Sequence, residues 1–274
     1  MVRHEAAEAL GAIGANRSRS VLQDVHSREP LMELVETCRL ALDVMDWRQK
    51  GSDPAYEPAV CACMLNPYSS VDPAPPHPSH QDKSPTELGM ILLDDTLPMF
   101  ARYRAMFSLR NKGGSDCVRE LCTALTNDTS SALLRHEVAY VLGQMQHDLS
   151  VEALETALRR PDEHDMVRHE AAEALGAIEG RWETVERILE EFSRDDNVVV
   201  KESCLVALDA ADYWNNNNNN NHEETLTADT SEDVGTTVKD DDHPDKEQSA
   251  SFVQQKNEQQ PPNRVMVNHF NVKQ

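Results

Sequence analysis

Positive charge is what this chain has too little of. Its 274 residues carry 26 Lys and Arg against 48 Asp and Glu, a formal net charge of −22. Phosphate contacts depend on Lys and Arg, so this balance argues against nucleic-acid binding. A surface this acidic suits a basic partner, or serves solubility alone. Aromatic residues are scarce too, at 5 %, and Ala and Leu dominate the apolar set. Strands favour β-branched and aromatic side chains, so the composition predicts an all-α fold. No apolar run reaches membrane length and the start lacks a signal-peptide core, so no membrane partner is expected and a reduced, cytoplasmic setting fits. The six cysteines form no paired framework. Cys38 and Cys204 fall inside helical patterns as small apolar groups, and Cys61-Ala-Cys63 lacks the second pair that would make it a metal motif.

What the chain does have is repetition. MVRHEAAEALGAI occupies residues 1–13 and returns unchanged at 166–178. The likeness continues downstream, where Glu36-Thr37-Cys38 and Ala41-Leu42-Asp43 are echoed by Glu202-Ser203-Cys204 and Ala207-Leu208-Asp209. A third copy, LLRHEVAYVLGQM, spans 133–145, and its His136 lies 33 residues before His169. That period is near that of helical-hairpin solenoids, in which each hairpin covers the apolar face of its neighbour. Leu134, Val138, Val141, Leu142 and Met145 form one helical stripe, with Ser130 or Ser131 as N-cap. Residues 98–126 read as another hairpin that turns at Gly113-Gly114. Eight prolines between 54 and 85 exclude long helices there. The organisation expected is therefore an incomplete N-terminal helical block (1–50), a Pro-rich linker (51–85), a C-terminal helical block (86–214) and a disordered Asn-rich acidic tail (215–274).

Each of the three copies carries an adjacent His and Glu near the start of its helix: His4-Glu5, His136-Glu137 and His169-Glu170. Helical neighbours project about 100° apart, so a pair suits two different ions, or one ion and its surroundings, better than a single shared grip. One His-Glu is usually a solvated dipeptide. Three are harder to dismiss, because the hairpin at 98–126 has Tyr103-Arg104 instead, so packing does not require the pair. Mixed imidazole and carboxylate ligation suits non-haem iron. A glycine follows each His by seven residues, at Gly11, Gly143 and Gly176. Glycine inside a helix costs about 1 kcal/mol relative to alanine, so its recurrence signals either close helix packing or room for a ligand, and room for a ligand is the reading favoured.

RHEAAEALGAI (3–13, 168–178), LRHEVAYVLGQMQ (134–146), SVDPAPP (70–76) and YRAMFSLRN (103–111) together resemble deoxyhypusine hydroxylase over about residues 1–212. The resemblance implies a HEAT-repeat α-solenoid in two blocks with a di-iron centre between them. It implies hydroxylation, with dioxygen, of the deoxyhypusine side chain of translation initiation factor 5A, a monooxygenase reaction that completes hypusine. It assigns His136 and His169 to one iron and His4 and Glu137 to the other. Glu5 and Glu170 would ligate metal or hold the substrate amine, with Glu5, Glu137 and Glu170 the catalytic carboxylates. Gly11, Gly143, Gly176, Met1 and Met166 would border the substrate channel. Four His-Glu pairs are expected of the family, and this chain has three. The spacing of 33 would place another before Met1, which reads as an N-terminal shortening. The alternative to an enzyme is a HEAT-repeat binding module that keeps the partner surface around an incomplete metal site.

Overall fold

A computed structural model of the chain describes residues 2–50, 66–68 and 70–211. Among them run eleven α-helices and no strand: α1 (Val2–Ile13), α2 (Asn16–Arg28), α3 (Met32–Lys50), α4 (Pro85–Leu93), α5 (Met99–Lys112), α6 (Gly114–Asn127), α7 (Ala132–Met145), α8 (Val151–Arg159), α9 (Asp165–Ala177), α10 (Trp182–Phe192) and α11 (198–211). Local chemistry sets several of the boundaries. Ser84 and Glu87 form a reciprocal capping box at the start of α4, behind Pro85 in its first turn. The Ser131 hydroxyl accepts from the Leu134 amide and starts α7, so Ser131 rather than Ser130 is the cap. Gly113, at φ 69°, ends α5 and turns the chain directly into α6.

The helices stack in two layers. α5, α7 and α9 lie side by side, and α4, α6 and α8 pack behind them. Tyr103, Phe107, Leu121, Leu134, Leu142, Leu154 and Leu175 are fully buried in the common core. Each large apolar side chain buried this way contributes about 1.5–3 kcal/mol. α1 packs on α3, and α3 in turn meets α5 and α7, so the two helical blocks join through α3. Cys38 and Cys204 are buried as expected, and burial pushes the Cys204 thiol up to about 12. Cys61, Cys63, residues 51–65 and the tail lie outside the described residues.

The arginine before each His is part of the stacking, not of the site. Arg3, Arg135 and Arg168 pair with Glu29, Glu163 and Asp195, and Arg102, before Tyr103, pairs with Asp128. Arg102 and Arg168 also donate from Nε to the carbonyl oxygens of Leu92 and Leu158, at 2.8 and 2.9 Å. Each arginine thus ties its own helix to the following hairpin. The hairpin without His-Glu keeps this register, so Tyr103-Arg104 occupies the place of the pair.

The proline-rich stretch is more than a linker. Its Asp72 makes a two-armed ion pair with the fully buried Arg110 of α5, at 2.9 and 2.6 Å. Arg104 donates to the carbonyl oxygens of Pro75 and Pro76 and lies over the rings of Trp47 in α3 and Phe100 in α5. Extended, proline-rich backbone leaves its carbonyls without helical partners, and these two arginines bind it against both blocks.

Candidate metal centre

The stacking turns the first turns of α1, α7 and α9 towards one another. The His4 and His136 rings meet edge to face with centroids 5.3 Å apart, and His136 and His169 stack at 6.3 Å. His4, His136, Glu137 and Glu170 are all buried, at 3–5 % exposure. So many ionisable groups are kept out of water only where they serve each other or a metal.

Two groupings have metal-ligand proximity. His4, Glu5 and His136 form one; His169, Glu170 and Glu173 form the other, with candidate ligand atoms within 4.8 Å of one another. An adjacent His and Glu can serve the same grouping, because side-chain rotation brings the longer Glu back towards the imidazole despite the difference in projection; His4 Nε2 and Glu5 Oε1 are 3.9 Å apart. The His136 ring lies between the other two, in contact with both. Glu137 faces a cavity beside His4.

Electrostatics fit a cation here. Burial first, then the neighbouring Glu8 and Glu170, pushes the Glu137 carboxyl well above its usual range. Burial, then Glu173 and Glu5, does the same to Glu170. Burial lowers His4 to about 4 and holds His136 well below its ordinary value. Imidazoles held neutral beside carboxyls crowded by like charge are what a divalent ion would relieve. Among the described residues, His4 Nε2 and Glu170 Oε1 are buried without a hydrogen-bond partner. Leaving such an atom unsatisfied costs about 1–3 kcal/mol. Both belong to the groupings above, so the donor set fits a metal. Nitrogen and carboxylate oxygen without thiolate suit a first-row transition-metal ion.

The cavity beside His4 is bordered by Glu8, Arg48, Asp72 and Glu137 at polar points and by Leu40, Ala41 and Val44 on an apolar wall. Glu8 and Glu173 stand one helical turn after His4 and His169, with Oε2 of Glu8 3.7 Å from His4 Nε2 and Oε1 of Glu173 3.2 Å from His169 Nδ1. The HEAAE spacing could have revealed both, since i and i+4 share a helix face. Tyr140 holds the same place in α7. Asp72 had no such signal, because only tertiary packing brings it here.

The channel expectation needs correction. A Cβ on Gly11 would lie 2.7 Å from the Ala41 Cβ, and one on Gly176 would lie 2.7 Å from the Ala207 Cβ. Close packing of α1 on α3 and of α9 on α11 therefore explains these glycines, although Gly11 also borders the cavity. Gly143 is buried within α7. Met166 is buried, and its backbone carbonyl oxygen faces His136 Nδ1 at 3.1 Å. Met1 lies outside the described residues.

Comparison with known proteins places this arrangement. Residues 87–175 and 118–209 match HEAT repeats, and residues 2–37 match the PBS lyase HEAT-like repeat. The deoxyhypusine hydroxylases of Danio rerio and Drosophila melanogaster are 49 % and 47 % identical over 215 residues, covering 78 % of this chain and 67 % and 66 % of theirs. The solved structure of human deoxyhypusine hydroxylase in complex with glycerol aligns with a TM-score of 0.68 at 46 % identity, over 78 % of this chain and 68 % of that one. The chain belongs to the deoxyhypusine hydroxylase family. It spans about two thirds of the length of these relatives. The two-layer stack is accordingly a HEAT-repeat α-solenoid, and in this deoxyhypusine hydroxylase homologue the three His-Glu pairs stand on its helices α1, α7 and α9.

Proposed function

We propose that this chain is an iron-dependent deoxyhypusine monooxygenase acting on translation initiation factor 5A, in the cytoplasm. The observation that carries the reading is the convergence of His4, His136 and His169 with buried carboxyls, in a chain whose family is named for that reaction. Iron, when bound, would supply dioxygen activation: one oxygen atom enters a substrate C–H bond and the other leaves as water, with two electrons and two protons from an external reductant. The three histidines, with the carboxylates of Glu5, Glu137 and Glu170 beside them, would hold the ions.

The substrate side chain is a long aliphatic amine, and the cavity has chemistry for both of its parts. The wall of Leu40, Ala41 and Val44 would meet its methylenes. Glu8 and Glu137 would meet a cationic nitrogen as charge-assisted acceptors. The acidic surface draws in a basic protein partner.

The test is mass spectrometry of deoxyhypusine-bearing factor incubated with iron-loaded protein, reductant and dioxygen. Gain of one oxygen atom on that side chain is expected. Retained iron and retained partner binding with no added oxygen would leave a binding module in place of the enzyme.

A further inference from the structure

The Glu-Thr-Cys and Glu-Ser-Cys echoes acquire a role once the helices are assembled. Thr37 in α3 and Ser203 in α11 each sit on the second helix after a His-bearing one, 33 and 34 residues after that His. Thr37 Oγ1 is 2.7 Å from His4 Nδ1, and Ser203 Oγ is 2.6 Å from His169 Nδ1. A histidine contact does not by itself say which atom carries the proton. For His4, the surroundings decide.

Thr37 has one hydroxyl proton, and it is spent on the carbonyl oxygen of Glu33, one turn back in α3, at 2.7 Å. Its oxygen is then left to accept, so His4 Nδ1 must donate. A neutral imidazole that keeps its proton on Nδ1 presents a lone pair at Nε2. His4 Nε2 is the buried atom without a hydrogen-bond partner, and it points towards Glu5 and Glu8, 3.9 and 3.7 Å away.

The other two imidazoles have different partners at Nδ1. His136 Nδ1 faces the carbonyl oxygen of Met166, which can only accept. His169 Nδ1 has Glu173 Oε1 at 3.2 Å in addition to Ser203. His4 and His136 thus keep Nδ1–H and leave the lone pair on Nε2, the form that ligates a metal.

We propose that Thr37 is a positioning residue of the metal centre, whose hydroxyl, anchored on the Glu33 carbonyl, fixes the tautomer and ring orientation of His4, with Ser203 as its counterpart at His169. This rests on the metal-binding reading above. Hydrogen-bond partners of ligating histidines matter because they fix both the donor nitrogen and its direction. Serine and threonine are interchangeable for this purpose, which accounts for the residue that differs between the two otherwise similar echoes.

The experiment uses the full chain with Thr37→Val, which keeps the shape and removes the hydroxyl, and Thr37→Ser, which keeps the hydroxyl. Two-bond proton–nitrogen spectra of metal-free, histidine-labelled protein at neutral pH report the His4 tautomer, its signals identified by their loss in His4→Gln. Anaerobic titration with ferrous iron reports affinity. Wild type and Thr37→Ser are expected to show the Nδ1–H form and comparable affinity. Thr37→Val is expected to lose the single tautomer and to bind iron about 10–100-fold more weakly. An Nε2–H tautomer in wild type would overturn the proposal, as would a valine variant with unchanged tautomer and affinity, or a serine variant as impaired as the valine one. Wild-type protein that binds no iron would refute the metal reading, and the tautomer spectra would still decide the role of Thr37.

Discussion

His80 repeats, away from the metal centre, the hydroxyl device seen at His4. Its Nδ1 lies 2.9 Å from Ser108 Oγ, and that hydroxyl donates to the Arg104 carbonyl oxygen at 2.6 Å, so the imidazole donates and stays neutral. Burial first, then the charges of His77 and Arg104, lowers its pKa from 6.5 to about 4. Between those values the unfolded chain binds a proton that the folded chain refuses. The contribution of His80 is therefore complete above pH 6.5 and is lost as pH falls towards 4. Replacing His80 with Gln keeps a donor for Ser108 and removes the titration. Thermal unfolding of the two proteins between pH 7 and pH 5 should show a shallower acid loss in His80→Gln; equal slopes would mean His80 is not held neutral.

At the level of helices, Gly176 separates two opposing effects. Alanine there would gain about 1 kcal/mol of helix propensity. Its Cβ would also stand 2.7 Å from the Ala207 Cβ and 3.0 Å from the Ala207 carbonyl oxygen of α11, and the backbone cannot yield as a flexible side chain would. Overpacking of this kind costs about 1–3 kcal/mol, so Gly176→Ala should lower stability in urea unfolding. A gain would show that α9 and α11 have slack and would return the glycine to the channel reading. The elements themselves were legible in the sequence. The stripe from Leu134 to Met145, the serine cap and the paired glycines at 113 and 114 are local signals, and each marks a real boundary or face. The glycine at 176 was legible as a cost but not as a cause, because its neighbour Ala207 is brought there only by the stacking.

Across the whole molecule, the three His-Glu pairs were readable as a site because Tyr103-Arg104 supplied a hairpin without one. How they meet was not readable. Which histidine faces which depends on α7 lying beside both α1 and α9, and on α3 joining the two blocks, and none of that is encoded within a single repeat. The same holds for Asp72. Its ion pair with Arg110 ties the proline-rich stretch to α5 and puts a carboxylate at the edge of the cavity. The solenoid thus does two jobs with one period. The arginine before each motif binds hairpin to hairpin, and the His and Glu after it gather at one place.

The central claim is that this convergence holds metal. It is tested most directly by the iron retained per chain after anaerobic loading and gel filtration, in wild type and in His136→Ala. His136 stands between the other two imidazoles, so its removal should abolish most of the bound iron while the helical content is kept. Wild-type protein that retains no iron, or a His136→Ala variant that retains as much as wild type, would contradict the account.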